Sequence, residues 1–381
     1  MTHSELEALF AYAVGIRRRL HEYPEVGFDL PRTTALVAAE LEAMGIACTD
    51  RYGKCSLVAD IGRGERLIAL RADMDALPVE EAVDVPFRSK IPGQMHACGH
   101  DSHTAVLLAA AKYLKEHEED LPCRVRLIFQ PSEEGQISGA EMMVNHGVMD
   151  GVDHVICTHC ENMLESGRLG VCSGDYQAAC VPATISFIGR ASHATLPENG
   201  VDAIAMAAEA YARMKSMVAQ EAGDRPYIWS VGRFSGGYVH NIIADRCEMD
   251  ISFRFYDMAL EPRVEMKVRE ICDEIAARYG GAVEYDWHIS TGSVYNDPAL
   301  VRRFICRCEQ AELPVQEIAR RMSSEDFSWY LTKRPGLVFR FGTRNEAEGC
   351  TATAHCSDFK LDEDGMRVPI AAFCAYVMGE E

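Results

Sequence analysis

Met95-His96-Ala97-Cys98-Gly99-His100-Asp101-Ser102-His103 packs three histidines, a cysteine and an aspartate into nine residues and runs straight into an apolar stretch. Cys98 and His100, two positions apart, can both reach one metal ion or a pair of ions. This density of soft and borderline ligands points to a metal site rather than to a solvated turn. Downstream, residues 102–115 read as a helix with Val106, Leu107, Ala110 and Leu114 on one face. Short apolar runs at 55–61, 66–71, 124–129 and 154–158 read as strands, and helices are expected at 5–20 and 31–45, Pro31 suiting the first turn of the second. The alternation predicts an α/β fold with a mainly parallel central sheet. Candidate site residues lie just past the apolar runs: Asp73 and Asp75 after the second, Glu133 and Glu134 after the third, His159 after the fourth. Sites in open α/β sheets form at the carboxyl ends of strands, so chemistry and topology agree.

Residues 181–290 have a different rhythm. Strands at 183–188, 228–234, 248–255 and 283–288 and helices at 201–218 and 261–279 follow the order β-α-β-β-α-β, the ferredoxin-like pattern. The chain then returns to α/β material, with a helix near 298–311, a strand at 337–341 and a closing helix at 362–378. The expected organisation is a discontinuous catalytic domain, 1–180 and 291–381, with an inserted domain at 181–290. His355 lies beyond the insertion, so the chain must come back to complete the site.

With 381 residues, two domains are expected. A formal net charge of −20 argues against nucleic acid or an anionic membrane as partner. With no apolar N-terminal segment behind a basic region and no run of 18 apolar residues, a cytoplasmic protein is expected. The fifteen cysteines are scattered and odd in number and read as reduced thiols. Cys157-x-x-Cys160 and Cys306-x-Cys308 lack the second pair that a structural zinc site needs, and most of the other cysteines read as small buried hydrophobes.

Cys98, His100, Glu134, His159 and His355 are five candidate ligands. One open catalytic zinc usually takes three, so five suit two divalent ions sharing a bridging group, with zinc, manganese, cobalt or nickel all compatible. A two-metal site can clamp an attacking water and polarise a carbonyl together. Glu133, adjacent to a ligand, is the candidate general base, able to take a proton from water and pass it to a leaving nitrogen. Asp75 and Asp101 are expected to sit behind ligand imidazoles and orient them, or to cap a turn. His96 and His103 are candidates for similar supporting parts and stay outside the ligand set, because five histidines around two ions would be crowded.

His21-Glu22-Tyr23-Pro24-Glu25, Arg71 to Pro78, Met95 to His103, Gln130-Pro131-Ser132-Glu133-Glu134-Gly135 and Ser324-Glu325-Asp326-Phe327 occur in one order. In these motifs the chain resembles the metal-dependent amidohydrolases related to hippurate hydrolase, aminoacylase and plant indole-acetyl-amino-acid hydrolase. The resemblance spans nearly the whole chain. It implies a di-metal peptidase-like catalytic domain with an inserted ferredoxin-like lid that dimerises, and hydrolysis of the amide in N-acyl amino acids. It implies that Cys98, His100, Glu134, His159 and His355 hold the metals and that Glu133 is the base. Within the lid it implies that His193 stabilises the oxyanion and that Asn241 and Arg254 bind the substrate carboxylate, for which a guanidinium fork is suited. The sequence departs from the family at Asn162, where proline is frequent, at Cys180-Val181-Pro182, which lacks an acidic residue, and at Gln136-Ile137-Ser138, where glycines are common. These changes bear on acyl and side-chain preference.

A dinuclear aminopeptidase or dipeptidase on the same fold would need an acidic anchor for a free α-amine, and Arg254 and Asn241 favour a carboxylate instead. An inert metal-binding or sensory protein would have lost Glu133 or a ligand, and all are present.

Overall fold

Four parallel strands, Arg124–Gln130, Leu67–Asp73, His154–Glu165 and Gly336–Arg344, form the middle of an eight-stranded sheet in a computed structural model that describes residues Met1–Glu380. Leu57–Ile61 and Cys48–Thr49 extend the sheet on one side, and Leu169–Val171 and Val315–Glu317 on the other. Leu57–Ile61 and Leu169–Val171 each run antiparallel to their inner neighbour. All seven residues of Leu67–Asp73 are buried, as expected of a parallel strand covered on both faces.

The helix His100–Glu116 is buried almost all round and packs against the sheet, His3–His21 and Arg367–Met378. Its start is set by Gly99. That residue has φ +82°, and a Cβ there would fall 2.5 Å from the Cys160 sulfur, so the turn between Cys98 and His100 admits no larger residue. At the C-terminus, the expected helix 362–378 opens as a tight 3₁₀ turn, Glu363–Met366, before the α-helix Arg367–Met378. Pro369, the third residue of that helix, falls in its first α-turn, where proline is tolerated.

One expectation is corrected here. The apolar run at 154–158 ends before His159, but the strand does not. It continues to Glu165, and Arg340 pairs with His159. Ladder hydrogen bonds come from the backbone, so a polar side chain does not end a strand.

The chain divides into two units. The larger comprises Met1–Tyr176, Tyr295–Arg320 and Asp326–Glu381, and the smaller Gln177–Val294 with Arg321–Glu325. The smaller unit is thus wider than 181–290 by four residues at each end and takes in an excursion from a distant segment, which hydrogen bonds such as Tyr256 to the Arg321 carbonyl (2.8 Å) hold. Its elements are Ala179–Ile188, Ala203–Ala222, Tyr227–Gly236, Arg246–Phe255, Leu260–Tyr279 and Ala282–Trp287, strand and helix alternating as β-α-β-β-α-β. The four strands are antiparallel in the ferredoxin-like spatial order fourth, first, third, second. Phe187, Phe253, Phe255, Met214 and Val264 fill its separate core. Among the described residues, no helix is long and apolar enough to cross a membrane.

Candidate metal centre

Four segments of the larger unit converge on one cluster. Cys98 closes the turn before the helix His100–Glu116, and His100 opens that helix. His159 comes from a central strand, and Glu133 and Glu134 from the loop after Arg124–Gln130. His355 adopts a left-handed backbone, φ 71°, and its amide donates to the Ala97 carbonyl at 2.8 Å. A non-glycine residue held there stores strain that the surroundings must support. Asn162 supplies part of that support: its amide donates to the carbonyls of Ala352 and Lys360, 2.8 Å each, on either side of His355.

The ligand atoms form overlapping groups within 4.8 Å: Cys98, His100 and His159; Cys98, Glu134 and His355; and His100, Glu133 and Glu134. Cys98 belongs to the first two. Its sulfur lies 3.4 Å from His159 Nε2. His355 Nε2 lies 2.8 Å from Glu134 Oε1, and His100 Nε2 lies 3.9 Å from Glu133 Oε2. His159 Nδ1 donates to the Cys160 carbonyl (2.8 Å), which leaves Nε2 bare and facing Cys98.

Asp75 binds three groups of this cluster. One oxygen accepts the Glu133 amide at 3.0 Å and the other the Glu134 amide at 3.1 Å, while His100 Nδ1 lies 3.4 Å away. This carboxylate fixes the backbone of Glu133, the candidate base, and of Glu134, and faces the ring of His100. Asp101 faces elsewhere and, of the two roles expected of it, takes the capping one. Its carboxylate accepts from His21 Nδ1 (2.7 Å), pairs with Arg17 Nε (3.2 Å) and caps its own helix at Ser102 N (2.9 Å). The side chains of adjacent helical residues diverge by about 100°, so Asp101 leaves the cluster that His100 enters.

Electrostatics favours a cation in the cluster. Burial pushes the His100 ring toward neutrality, yet Asp73, Asp75 and Glu134 hold it up at about 10. Burial also works against ionised Glu134, but the hydrogen bond from His355 and the charge of His100 outweigh it and lower its pKa. Burial holds His159 neutral, the form that ligates, and raises the Cys98 thiol well above its usual value. A positive ion among these groups would displace that proton.

The donor set fits two divalent ions. His100 Nε2 is buried without a hydrogen-bond partner within the protein, an arrangement that is costly unless something else binds it. Thiolate, imidazole and carboxylate are the donors of borderline metals.

The other predicted site residues belong to the smaller unit. His193 is exposed, and the Thr195 amide donates to its Nδ1 at 3.2 Å. An amide N–H can only donate, so the neutral ring carries its proton on Nε2 as an available donor. His193 and Asn241 are neighbours: Ala194 N donates to the Asn241 carbonyl (3.0 Å), and His193 bridges to Ile242. Arg254 lies on another segment, where its Nη1 donates to the Met322 carbonyl at 3.0 Å.

Sequence reasoning missed the polar layer behind the cluster. Arg71, fully buried, donates to Asp73 (2.7 Å), Asp326 (3.0 Å) and Gln130 (2.9 Å). Asp326 also accepts from Gln130, from Ser138 Oγ (2.7 Å) and from Ala140 N (3.2 Å). The signal was charged residues inside apolar strand runs, which are rarely buried unless paired.

A model described as peptidase family M20/M25/M40 matches residues 69–379. The chain is 35% identical over 361 residues to N-acetyl-L-cysteine deacetylase of Bacillus subtilis, covering 94% of this chain and 85% of that one. It is 35% identical to IAA-amino acid hydrolase ILR1-like 4 of Arabidopsis thaliana, over 96% of this chain and 84% of that one. Among solved structures, the Bacillus subtilis YXEP protein, described as a dinuclear metal-binding peptidase of family M20, superposes with a TM-score of 0.85 at 30% identity, with 98% of each chain covered.

Proposed function

The chain belongs to peptidase family M20/M25/M40 and is a metal-dependent hydrolase, and we propose that it hydrolyses the amide bond of N-acyl amino acids, releasing a carboxylic acid and a free amino acid. The observation that carries this reading is the pair of ligand groups sharing Cys98, with Glu133 at their edge. Cys98, His100, Glu134, His159 and His355 would hold two divalent ions, which supply Lewis acidity toward the scissile carbonyl and acidify water.

The chain's own residues do the rest. Glu133, its backbone pinned by Asp75, accepts the proton of the attacking water and delivers it to the leaving nitrogen. Glu134 and His355 serve as ligands and do not shuttle protons. His193 offers its Nε2–H to the developing oxyanion, a role its tautomer supports. Asn241 and Arg254 hold the carboxylate of the amino-acid half. That preference for a carboxylate separates this reading from an aminopeptidase.

The active species in this proposal is a homodimer. Tyr227–Gly236 is an edge strand of the smaller unit's sheet and exposes Ile228 and Phe234, with Ile204 and Tyr211 exposed on the helix Ala203–Ala222. An unpaired apolar edge favours pairing with a second copy. Fifteen unpaired cysteines suit a reducing compartment such as the cytoplasm. The test is a panel of N-acyl amino acids and free-amine dipeptides, assayed with zinc, manganese, cobalt and nickel after chelation. Hydrolysis of N-acyl amino acids with no turnover of free-amine dipeptides is expected. The reverse pattern would overturn the proposal.

A further inference from the structure

His103 is the one histidine of the opening motif with both ring nitrogens engaged within the cluster's surroundings. It lies one turn after His100 on the same helix face, fully buried, with its ring centroid 5.4 Å from that of His100 and 4.5 Å from that of His159. Nδ1 lies 2.6 Å from Asp73 Oδ1, and Nε2 lies 2.9 Å from the amide nitrogen of Cys160. Asp73 is an acceptor, its other oxygen taken by Arg71 Nη1 at 2.7 Å. The Cys160 amide can only donate. The proton of His103 must therefore sit on Nδ1, and Nε2 must be an acceptor. The ring cannot bind a metal without breaking one of these bonds.

The Cys160 peptide is where this ring acts. Its nitrogen is held by His103, its carbonyl accepts from His159 Nδ1 (2.8 Å), and its thiol donates to the Cys98 carbonyl (3.2 Å). One residue thus contacts the backbone of the shared ligand Cys98 and fixes the ring of the ligand His159. Arg71, Asp73 and His103 form a buried hydrogen-bonded chain that ends on it.

We propose that His103 is a positioning residue: through the Cys160 peptide it holds His159 and Cys98 in ligating geometry, and it takes no part in proton transfer. The proposal rests on the ligand assignment made above. Partners one layer behind metal ligands contribute about 10–100-fold in metal affinity.

The test is zinc affinity by chelator competition on the full-length protein, with kcat and KM measured at saturating zinc. His103→Ala is expected to weaken zinc binding about 10–100-fold, while kcat at saturating metal recovers to within several-fold of the parent and KM is unchanged. His103→Gln keeps one donor and one acceptor without leaving a cavity, and should recover most of the affinity. The Gln variant also carries the test if the Ala variant does not fold. Three results would overturn the proposal: His103→Ala affinity within about threefold of the parent, equal weakening in the Ala and Gln variants, or normal affinity with kcat lost at saturating zinc. Cys98→Ala, measured in parallel, separates the two claims. If Cys98→Ala loses zinc while His103→Ala does not, only the positioning role fails. If Cys98→Ala keeps both ions, the ligand assignment itself fails and takes the positioning role with it.

Discussion

The candidate residues of the larger unit and those of the smaller one are held in opposite ways. Around Cys98, His100 and His159 nearly every polar atom behind the cluster is buried and tied: Asp75 to two amides, His103 to Asp73 and Cys160, Arg71 to three partners. In the smaller unit His193 and Asn241 stand exposed, tied chiefly through backbone hydrogen bonds of their own loops. Metal ligands must be placed before the ion arrives and tolerate little error; of the candidates, His100 and His159 sit on a buried helix and a strand, and the supporting layer ties the loop that carries Glu134. Groups that meet a substrate must be reachable, and loops over a rigid scaffold provide that. Mutations in the two regions should therefore fail differently, the first through metal or fold, the second through turnover alone.

The largest expected effect tests where the proton carrier belongs in this contrast. Glu133→Gln should keep its metal content and lose about 10²–10⁴ in kcat. Loss of metal instead would exchange the roles of Glu133 and Glu134. In the smaller unit, His193→Ala should lower kcat by about 10²–10³ with metal content and melting temperature unchanged, the cost of one oxyanion donor. A fall in metal content in that variant, read by elemental analysis, would break the contrast.

Asp75→Ala, in the supporting layer, should weaken metal binding by about 10–100-fold, read by chelator competition, and activity should return with excess metal. The smallest effect lies away from the cluster. Burial lowers the pKa of His154 to about 4, and its Nε2 lies 3.0 Å from the Tyr376 hydroxyl. Below pH 6.5 the unfolded chain binds a proton there that the folded chain refuses. The stability tied to His154 is therefore complete above pH 6.5 and is lost as the pH falls toward 4, by roughly 2–3 kcal/mol. Melting curves between pH 4 and 7 should show a flatter acid limb for His154→Gln than for the parent.

Much of this was legible before folding. Continuous apolar runs marked the central strands and a helical apolar pattern the helix after Cys98, because burial on both faces of a sheet or against one demands them. The β-α-β-β-α-β order of the smaller unit followed from the same patterns. Cys98, His100, Glu133, Glu134 and His159 declared themselves by residue type and by their places at or beyond apolar runs. The ends of elements were less legible: the strand through His159 runs to Glu165 because backbone pairing with Gly336–Arg344 continues where hydrophobicity stops.

By itself, the sequence determined which residue types could ligate metal and which elements would carry them, since both depend on local chemistry and on spacing within a few residues. Tertiary structure alone decided how each side chain is used. It turned Asp101 to His21, eighty positions away, while Asp75 took the amides of Glu133 and Glu134. It brought His103 onto Cys160, 57 positions on, and so settled which nitrogen of His103 bears the proton. A donor or acceptor has no fixed role until its partner arrives, and in this site the partners arrive from segments that spacing along the chain cannot relate.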